Sequence, residues 1–370
     1  MFKNYNFRHF NLKLIIFTIA IAVIGVMAVG SADSSLQDRQ MWGVVGGVFL
    51  MLVLTFFDYR IILKLSPIIY IGTLVILALV LINGIRGGGA QRWVNILGIQ
   101  FQPSELAKIA IILSIAAFIN KIGDEFNSLK SILLCVIIFA IPAFMVFKQP
   151  DLSTTITICM IFVTIMFVAG TKWRIIIGAI VVAVPVFLIA LYLILLPDSK
   201  IKIVSDYQKS RIISFFSQED TSNDEGYQQT YSVMAIGSGQ LTGKGYRNNE
   251  IYSVKNADFI AEQQTDFIFA VIGEEFGFIG SCSVIVLIFL ICLECFRIAI
   301  RTNSVAGRII GAGVGAMIGF QSFINIGVVT YLLPNTGLPL PFVSYGLTSL
   351  IANFLGIGLV LNVGLQCKDK

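Results

Sequence analysis

Ten apolar stretches, each near the length of a bilayer-crossing helix, recur along this chain: 14–30, 41–57, 67–83, 104–119, 131–147, 154–170, 175–196, 266–293, 309–333 and 347–364. A tilted helix needs ~20 residues to cross the hydrocarbon core, and in lipid a helix satisfies its own backbone. Of the 370 residues 56% are hydrophobic and only 13% charged, more apolar surface than a soluble chain of this size can bury. The expectation is an all-α polytopic membrane protein of about ten transmembrane helices, forming a single domain over 1–370.

Charge sets the expected orientation. Lys3, Arg8, Lys13, Arg60, Lys64, Lys121, Lys130, Lys172, Arg174, Arg297, Arg301, Arg308, Lys368 and Lys370 lie in the odd-numbered gaps, counting the N-terminus first. The short opposite loops hold only Arg39, Arg86, Arg92 and Lys148. Positive-inside bias puts both termini in the cytoplasm. The connection 197–265, between spans seven and eight, then lies outside as a large extracytoplasmic loop. Its aromatic, aliphatic and glycine-rich stretches predict a packed, functional segment rather than a linker.

Several function classes are excluded early. The net charge of +5 is spread along the chain as orientation signals, which argues against nucleic acid. His9 is the only histidine, so a Ser-His-Asp triad or a His-rich metal site is not expected. Cys292 and Cys295 form a lone C-x-x-C without a second pair, and the six cysteines are read as small residues in or near helices. Lys3, Arg8 and Lys13 before the apolar 14–29, with AVGSA after it, imitate a signal peptide; no secreted domain follows, so a retained first span is expected.

Polar motifs interrupt this apolar background. In GGGAQRWVNILGIQFQPSELAKI (87–109), Ser104 suits a helix N-cap and Glu105 its first turn, with Lys108 on the same face for pairing. In KQPDLSTT (148–155), Asp151 suits the N-cap of span six. AIGSGQLTGKGY (235–246) fails as a phosphate loop, because Ser238 occupies the first glycine position and Gly245 the hydroxyl position. A glycine-rich turn beside Lys244 remains, whose backbone N–H groups can approach an anion. LLPNTGLPLPFVSYG (332–346) packs Pro334, Pro339 and Pro341 between two apolar spans and predicts a partly re-entrant loop buried in protein.

AEQQTDFIFAVIGEEFGFIG (261–280) puts Asp266, Glu274 and Glu275 at and just inside a span. On an ideal helix Glu274 lies ~12 Å along the axis from Asp266 and about 80° around it, with Glu275 about 180° around. An inverting glycosidase keeps its two carboxyls ~6.5–9.5 Å apart. No same-helix acid/base pair forms on that geometry. Asp266 acts alone or with other segments, and Glu274 and Glu275 are read as structural or supporting.

Taken together, RGGGAQRW, FQPSELAK, QPDL, AIGSG followed by GKG, TDFIFAVIGEE and LLPNTGLPLPFVSYG resemble, in order and spacing, the shape, elongation, division and sporulation (SEDS) family. The resemblance covers essentially the whole chain. Its compact length and QPDL favour the elongation branch, the division branch being nearest. The chain departs from the family at Ala261, where Pro is usual, at Tyr231, at Gln240 and at Leu347-Thr348 after SYG. The resemblance implies a peptidoglycan glycosyltransferase that polymerises lipid II, an undecaprenyl-pyrophosphate disaccharide-pentapeptide, into glycan strands. It would work in the bacterial inner membrane with the active site facing the periplasm.

By the same resemblance Asp266 is the essential aspartate, with Glu105, Lys108 and Asp151 at other functional positions. Arg92, Gln264 and Thr265, from the same motifs, join them as candidate substrate-binding or supporting residues. A lipid pyrophosphate is a good leaving group, so one base suffices, and a base contributes typically ~10²–10⁴-fold. Asp266, where apolar helix meets aqueous loop, is expected to have a raised pKa suited to that task. Arg211, Lys244, Lys108 or a divalent cation (Mg2+ or Mn2+) would balance the departing charge. The partners implied are lipid II, the growing strand, a class B penicillin-binding protein (a transpeptidase) and other elongation-complex membrane proteins. The competing readings are a lipid II flippase, a scaffold that only activates a synthase, and a division-specific polymerase.

Overall fold

The computed structural model describes residues 5, 10–87, 90–96, 99–196, 206–216, 224–247 and 262–367. Lys3, Arg8, His9, Ala261, Lys368 and Lys370, which entered the sequence reading, lie outside them. The helices are α1 (Leu12–Ala32), α2 (Gln37–Thr55), α3 (Tyr59–Asn83), α4 (Pro103–Ile122), α5 (Leu129–Lys148), α6 (Leu152–Val168), α7 (Trp173–Leu195), α8 (Asp206–Phe216), α9 (Asp224–Ser238), α10 (Ile268–Arg301), α11 (Val305–Val329) and α12 (Leu347–Leu365). Each of the ten apolar runs is one of these helices. Seven of them, α1, α3, α5, α7, α10, α11 and α12, are long and apolar enough to cross a membrane. The others are shorter or more polar: α6 has 17 residues, and α2 and α4 open on Asp38 and Glu105.

Two features depart from a chain of simple spans. Between α3 and α4 the backbone forms a three-stranded antiparallel sheet, β1 (Ile85–Gly87), β2 (Ala90–Ile96) and β3 (Ile99–Phe101), in that order. Arg86 pairs with Gln91 and Asn95 with Gln100. The all-α expectation is therefore corrected by a small sheet, whose short strands satisfy in pairs a backbone that no helix continues. The described part of 197–265 is ordered too: it holds α8, α9 and the turn through Arg247.

Local chemistry explains several boundaries. Asn11 caps α1 by accepting from Leu14 N at 3.1 Å, and Ser304 caps α11 by accepting from Gly307 N at 3.3 Å. Helix α4 departs from expectation: its N-cap is Gln102, Pro103 stands in the first turn, and Ser104 falls inside the helix. Proline at that position loses nothing, since its missing N–H has no helical partner there. In the bundle, α11 and α12 are central, 72% and 83% buried over their apolar windows, whereas α7 is 0% buried. Small residues make the centre close-packed: a Cβ on Gly311 would lie 2.9 Å from Ala299 Cβ on α10, and one on Gly315 would lie 3.1 Å from Cys295 Cβ. Close backbone approach replaces hydrophobic collapse as the source of association between helices in lipid.

Helix α10 is two helices joined at Gly277, whose φ of 64° and ψ of −159° break the ladder. The glycine-rich turn after α9 fills the break. Lys244 N donates to Glu274 O (2.9 Å) and Gly245 N to Glu275 O (3.0 Å), while Phe278 N and Ile279 N donate to Gln240 O (2.8 Å) and Leu241 O (3.2 Å). Backbone groups freed by the kink are thus satisfied where water would be scarce. A Cβ on Gly243 would collide with Glu275 O and one on Gly277 with Gly243 N. The expectation that this turn offers its N–H groups to an anion is corrected: those of Gly243, Lys244 and Gly245 are taken by carbonyls of Gly239, Glu274 and Glu275.

Candidate active site

Asp266 stands in the turn that precedes α10, whose N-cap is Phe267. The ideal-helix relation to Glu274 and Glu275 therefore does not apply, because Asp266 is not on that helix. The two glutamates are 1% and 2% exposed. Lys244 Nζ donates to Glu274 Oε1 at 2.7 Å, and the Ser31 hydroxyl donates to Glu275 Oε1. They hold the turn after α9 and the end of α1 against α10. Lys244 reaches the protein's own carboxylate here.

The proline-rich segment 332–346 forms the wall beside Asp266. Phe342 O comes so near Gly25 of α1 that a Cβ there would lie 2.5 Å away. Gly25 is seven residues, or ~10 Å of helical rise, inside the C-terminal end of α1 at Ala32. The segment thus descends into the bundle with Leu338, Leu340, Phe342 and Val343 buried. Its polar backbone is matched by side chains from several helices. Ser153 Oγ donates to Thr336 O (2.7 Å), Gln321 Nε2 to Pro339 O (3.0 Å), and Gln229 Nε2 to Leu333 O (2.9 Å).

The same network fixes the turn carrying Asp266. Asn325 Nδ2 donates both to Asp266 O (2.8 Å) and to Leu338 O (2.6 Å). Ser344 Oγ donates to Thr265 O at 2.6 Å, and Tyr345 N donates to Gln264 O at 2.9 Å. Gln264 and Thr265 therefore contribute backbone carbonyls to this frame, and the Thr265 hydroxyl turns to Glu262 O at 3.0 Å.

Three sequence-distant charges meet over Gly337. A Cβ built on that glycine would lie 3.2 Å from Asp266 Oδ2, 3.5 Å from Arg211 Nη1 and 3.7 Å from Arg92 Nη1. Arg211 comes from α8 and Arg92 from β2. Burial pushes the Asp266 carboxyl from 3.8 up to about 6, against the pull of Arg211 and then Arg92, with Glu262 and Asp151 adding to the rise. A carboxyl in that range, facing two guanidiniums, can take a proton from a hydroxyl while the arginines hold a phosphate.

Asp151 stands beside Arg92. It caps α6, accepting from Thr154 N at 3.1 Å, as expected, and its Oδ2 lies 4.0 Å from Arg92 Nε and 3.4 Å from Gln102 Nε2. Glu105 and Lys108 form the expected i,i+3 pair at 2.8 Å, but both are buried, 1% and 0% exposed. Lys108 Nζ also donates to Gln321 Oε1 at 2.6 Å, so the pair reaches the proline-rich segment through Gln321. Gln321 and Asn325 went unremarked in the sequence. Their signal was two amide side chains four residues apart, one helix face, inside the apolar run 309–333. Among the described residues no three His, Cys, Asp or Glu side chains gather as a metal site.

Comparison with known proteins agrees with this architecture. The family model described as "Cell cycle protein" (FtsW, RodA, SpoVE) matches residues 5–369. The peptidoglycan glycosyltransferase MrdB of Escherichia coli (strain K12) is 33% identical over 363 residues, 97% of this chain and 95% of that protein. The probable peptidoglycan glycosyltransferase FtsW of Geobacter sulfurreducens is 32% identical over 375 residues, 98% and 96% of the two chains. The crystal structure of the rod shape determining protein RodA of Thermus thermophilus superposes with a TM-score of 0.71 at 27% identity, covering 100% of this chain and 99% of that one. A chain from a study of polymerization and crosslinking by a peptidoglycan synthase complex gives a TM-score of 0.80 at 28% identity, covering 96% and 97%. With a family model matched from end to end and relatives aligned over nearly their whole length, this chain belongs to the FtsW/RodA/SpoVE family of cell cycle proteins, the SEDS family.

Proposed function

We propose that this protein is a peptidoglycan glycosyltransferase that polymerises lipid II at the outer face of the cytoplasmic membrane, with Asp266 as general base. The observation that carries the reading is the convergence of Asp266, Arg92 and Arg211 over Gly337. The names of the relatives MrdB and FtsW support the reaction class.

In the reaction, the acceptor's 4-hydroxyl attacks the donor's anomeric carbon. A new C–O bond forms there as the bond to the lipid pyrophosphate breaks, with inversion. The hydroxyl proton passes to Asp266, and the electron pair leaves with the pyrophosphate, whose charge Arg92 and Arg211 attract. One carboxylate suffices, because the leaving group needs no strong acid. Ten spans with both termini inside would open this site to the periplasm, in line with the Lys and Arg distribution. A class B penicillin-binding partner is supported by the neighbour taken from a polymerization and crosslinking complex. Compact length and QPDL favour elongation over division, although the identities to MrdB and FtsW, 33% and 32%, do not separate them.

The test is polymerisation of lipid II by the purified protein, alone and with its partner. Wild type is expected to make glycan, and Asp266→Asn to lose at least ~10²-fold in rate while remaining folded. Full activity of Asp266→Asn would overturn the role of the aspartate. Movement of labelled lipid II across liposomes without polymer would assign transport instead, and glycan made only through the partner would assign a scaffold.

A further inference from the structure

We infer that Gly337 is a positioning residue, the side-chain-free floor on which the reacting hydroxyl of the acceptor sits between the base and the two guanidiniums. The inference rests on the proposed reaction at Asp266 and adds to it what shapes the place where the oxygen must lie.

Backbone conformation alone does not account for a glycine here. Gly337 has φ +67°, but Tyr331 and Phe342 in the same region stand at φ 60° and 65° with large side chains. This part of the fold therefore accepts L-residues in the left-handed region. What sets position 337 apart is its surroundings. Its Cβ would meet Asp266 Oδ2, Arg211 Nη1 and Arg92 Nη1 at 3.2, 3.5 and 3.7 Å, whereas at the other glycines whose surroundings are described the nearest atom is never a charged side-chain atom. Elsewhere the crowding atoms are backbone, apolar groups, the Gln37 amide, the Thr302 hydroxyl or the Cys292 thiol.

The peptide on either side is clamped. Thr336 O accepts from Ser153 at 2.7 Å and Leu338 O accepts from Asn325 at 2.6 Å. The segment cannot slide away from an added methyl, so the Asp266 carboxylate, 3.2 Å from it, must give by a few tenths of an ångström, while the two guanidiniums stay at ordinary contact distance. That displacement is small for folding but falls on the base itself, in a reaction geometry where ~1 Å of misplacement costs ~10²-fold. The methyl would also occupy space that an incoming oxygen needs to approach both the carboxylate and the guanidiniums.

Gly123 supplies a control in which strain acts without crowding, having φ +61° and ψ −128°, a conformation nearly confined to glycine, with nothing within 4 Å of its Cβ. Purified full-length wild type, Gly337→Ala and Gly123→Ala are compared for lipid II polymerisation and Tm. Expected are a Tm loss in Gly123→Ala at least as large as in Gly337→Ala, turnover in Gly123→Ala within about twofold of wild type, and a fall of about tenfold or more in Gly337→Ala. That fall should lie in kcat, with KM changed by less than about threefold. A second readout needs no reaction: infrared difference titration of the Asp266 carboxyl, identified by its loss in Asp266→Asn. The groups facing that carboxyl are Arg211, Arg92, Glu262 and Asp151. In Gly337→Ala its midpoint should move up by about half a unit, since the methyl both desolvates it and separates it from the arginines. Equal turnover in the two glycine variants, or an unmoved titration, would overturn the role of Gly337. Absence of polymerisation by wild type with a shifted titration would overturn the reaction and leave the niche standing.

Discussion

At Asp266 two opposing effects act on one carboxyl, and burial wins over two arginines. The folded value near 6 lies above the ordinary 3.8, so the protonated form is the one the fold favours. Stability from this group is present below its unfolded value and is lost as pH rises through about 6. Activity runs the other way, because a base must be charged: the rate of polymerisation is expected to rise with pH through about 6. A pH profile of kcat/KM flat from pH 5 to 8 would contradict this. Arg211→Ala removes the larger of the two charges lowering the value, so its acid limb should move to higher pH. Asp266→Asn keeps the shape without the charge. It should melt above wild type at pH 8 and show no such gain at pH 4, a comparison that melting curves in detergent at the two pH values decide.

Among the elements, the kinked α10 and the turn that fills it explain residues that resembled something else in the sequence. GSGQLTGKG reads like a failed phosphate loop until its N–H groups are found on the carbonyls of Glu274 and Glu275. Lys244 then closes the junction through its ion pair with Glu274, whose side chain is 2% exposed against 21% for the lysine. Lys244→Met leaves that carboxylate buried beside an apolar end. Breaking a fully buried pair costs about 3–5 kcal/mol, and the partly exposed lysine reduces this to about 2–3 kcal/mol. The expected result is a clear fall in Tm, largely recovered in the double variant with Glu274→Gln. An unchanged Tm in Lys244→Met would mean that the pair holds nothing together. The proline-rich segment shows the complementary economy: its backbone carbonyls are matched by Ser153, Gln229, Gln321 and Asn325, and Asn325 ties the same wall to the turn of Asp266.

For the whole molecule, orientation is the property with the most direct test. In a chain freed of its six native cysteines, Thr242→Cys should react with an impermeant reagent from outside, and Glu125→Cys only after the membrane is opened. The reverse pattern would put the site on the cytoplasmic face and overturn the proposed reaction. The bundle also distinguishes its helices by use. Helices α11 and α12 are mostly buried and carry Gln321, Asn325, Ser349 and Asn353, whereas α7 buries none of its apolar window and reads as a lipid-facing span.

The amino-acid sequence by itself determined the ten helices, because long apolar runs have one way to satisfy their backbone in lipid. It also marked Asp151 as a cap, Glu105 with Lys108 as a pair, and Asp266 as the acid of interest, since each depends on neighbours within a few residues. It did not reveal the sheet at Ile85–Phe101, the break at Gly277, or the meeting of Arg92, Arg211 and Asp266 over Gly337. The break and the meeting depend on contacts between residues tens to hundreds of positions apart, whereas the sheet pairs residues within eight positions that carried no clear strand signal. A glycine's value at such a meeting lies in the atoms it leaves room for, and only the packed bundle supplies them.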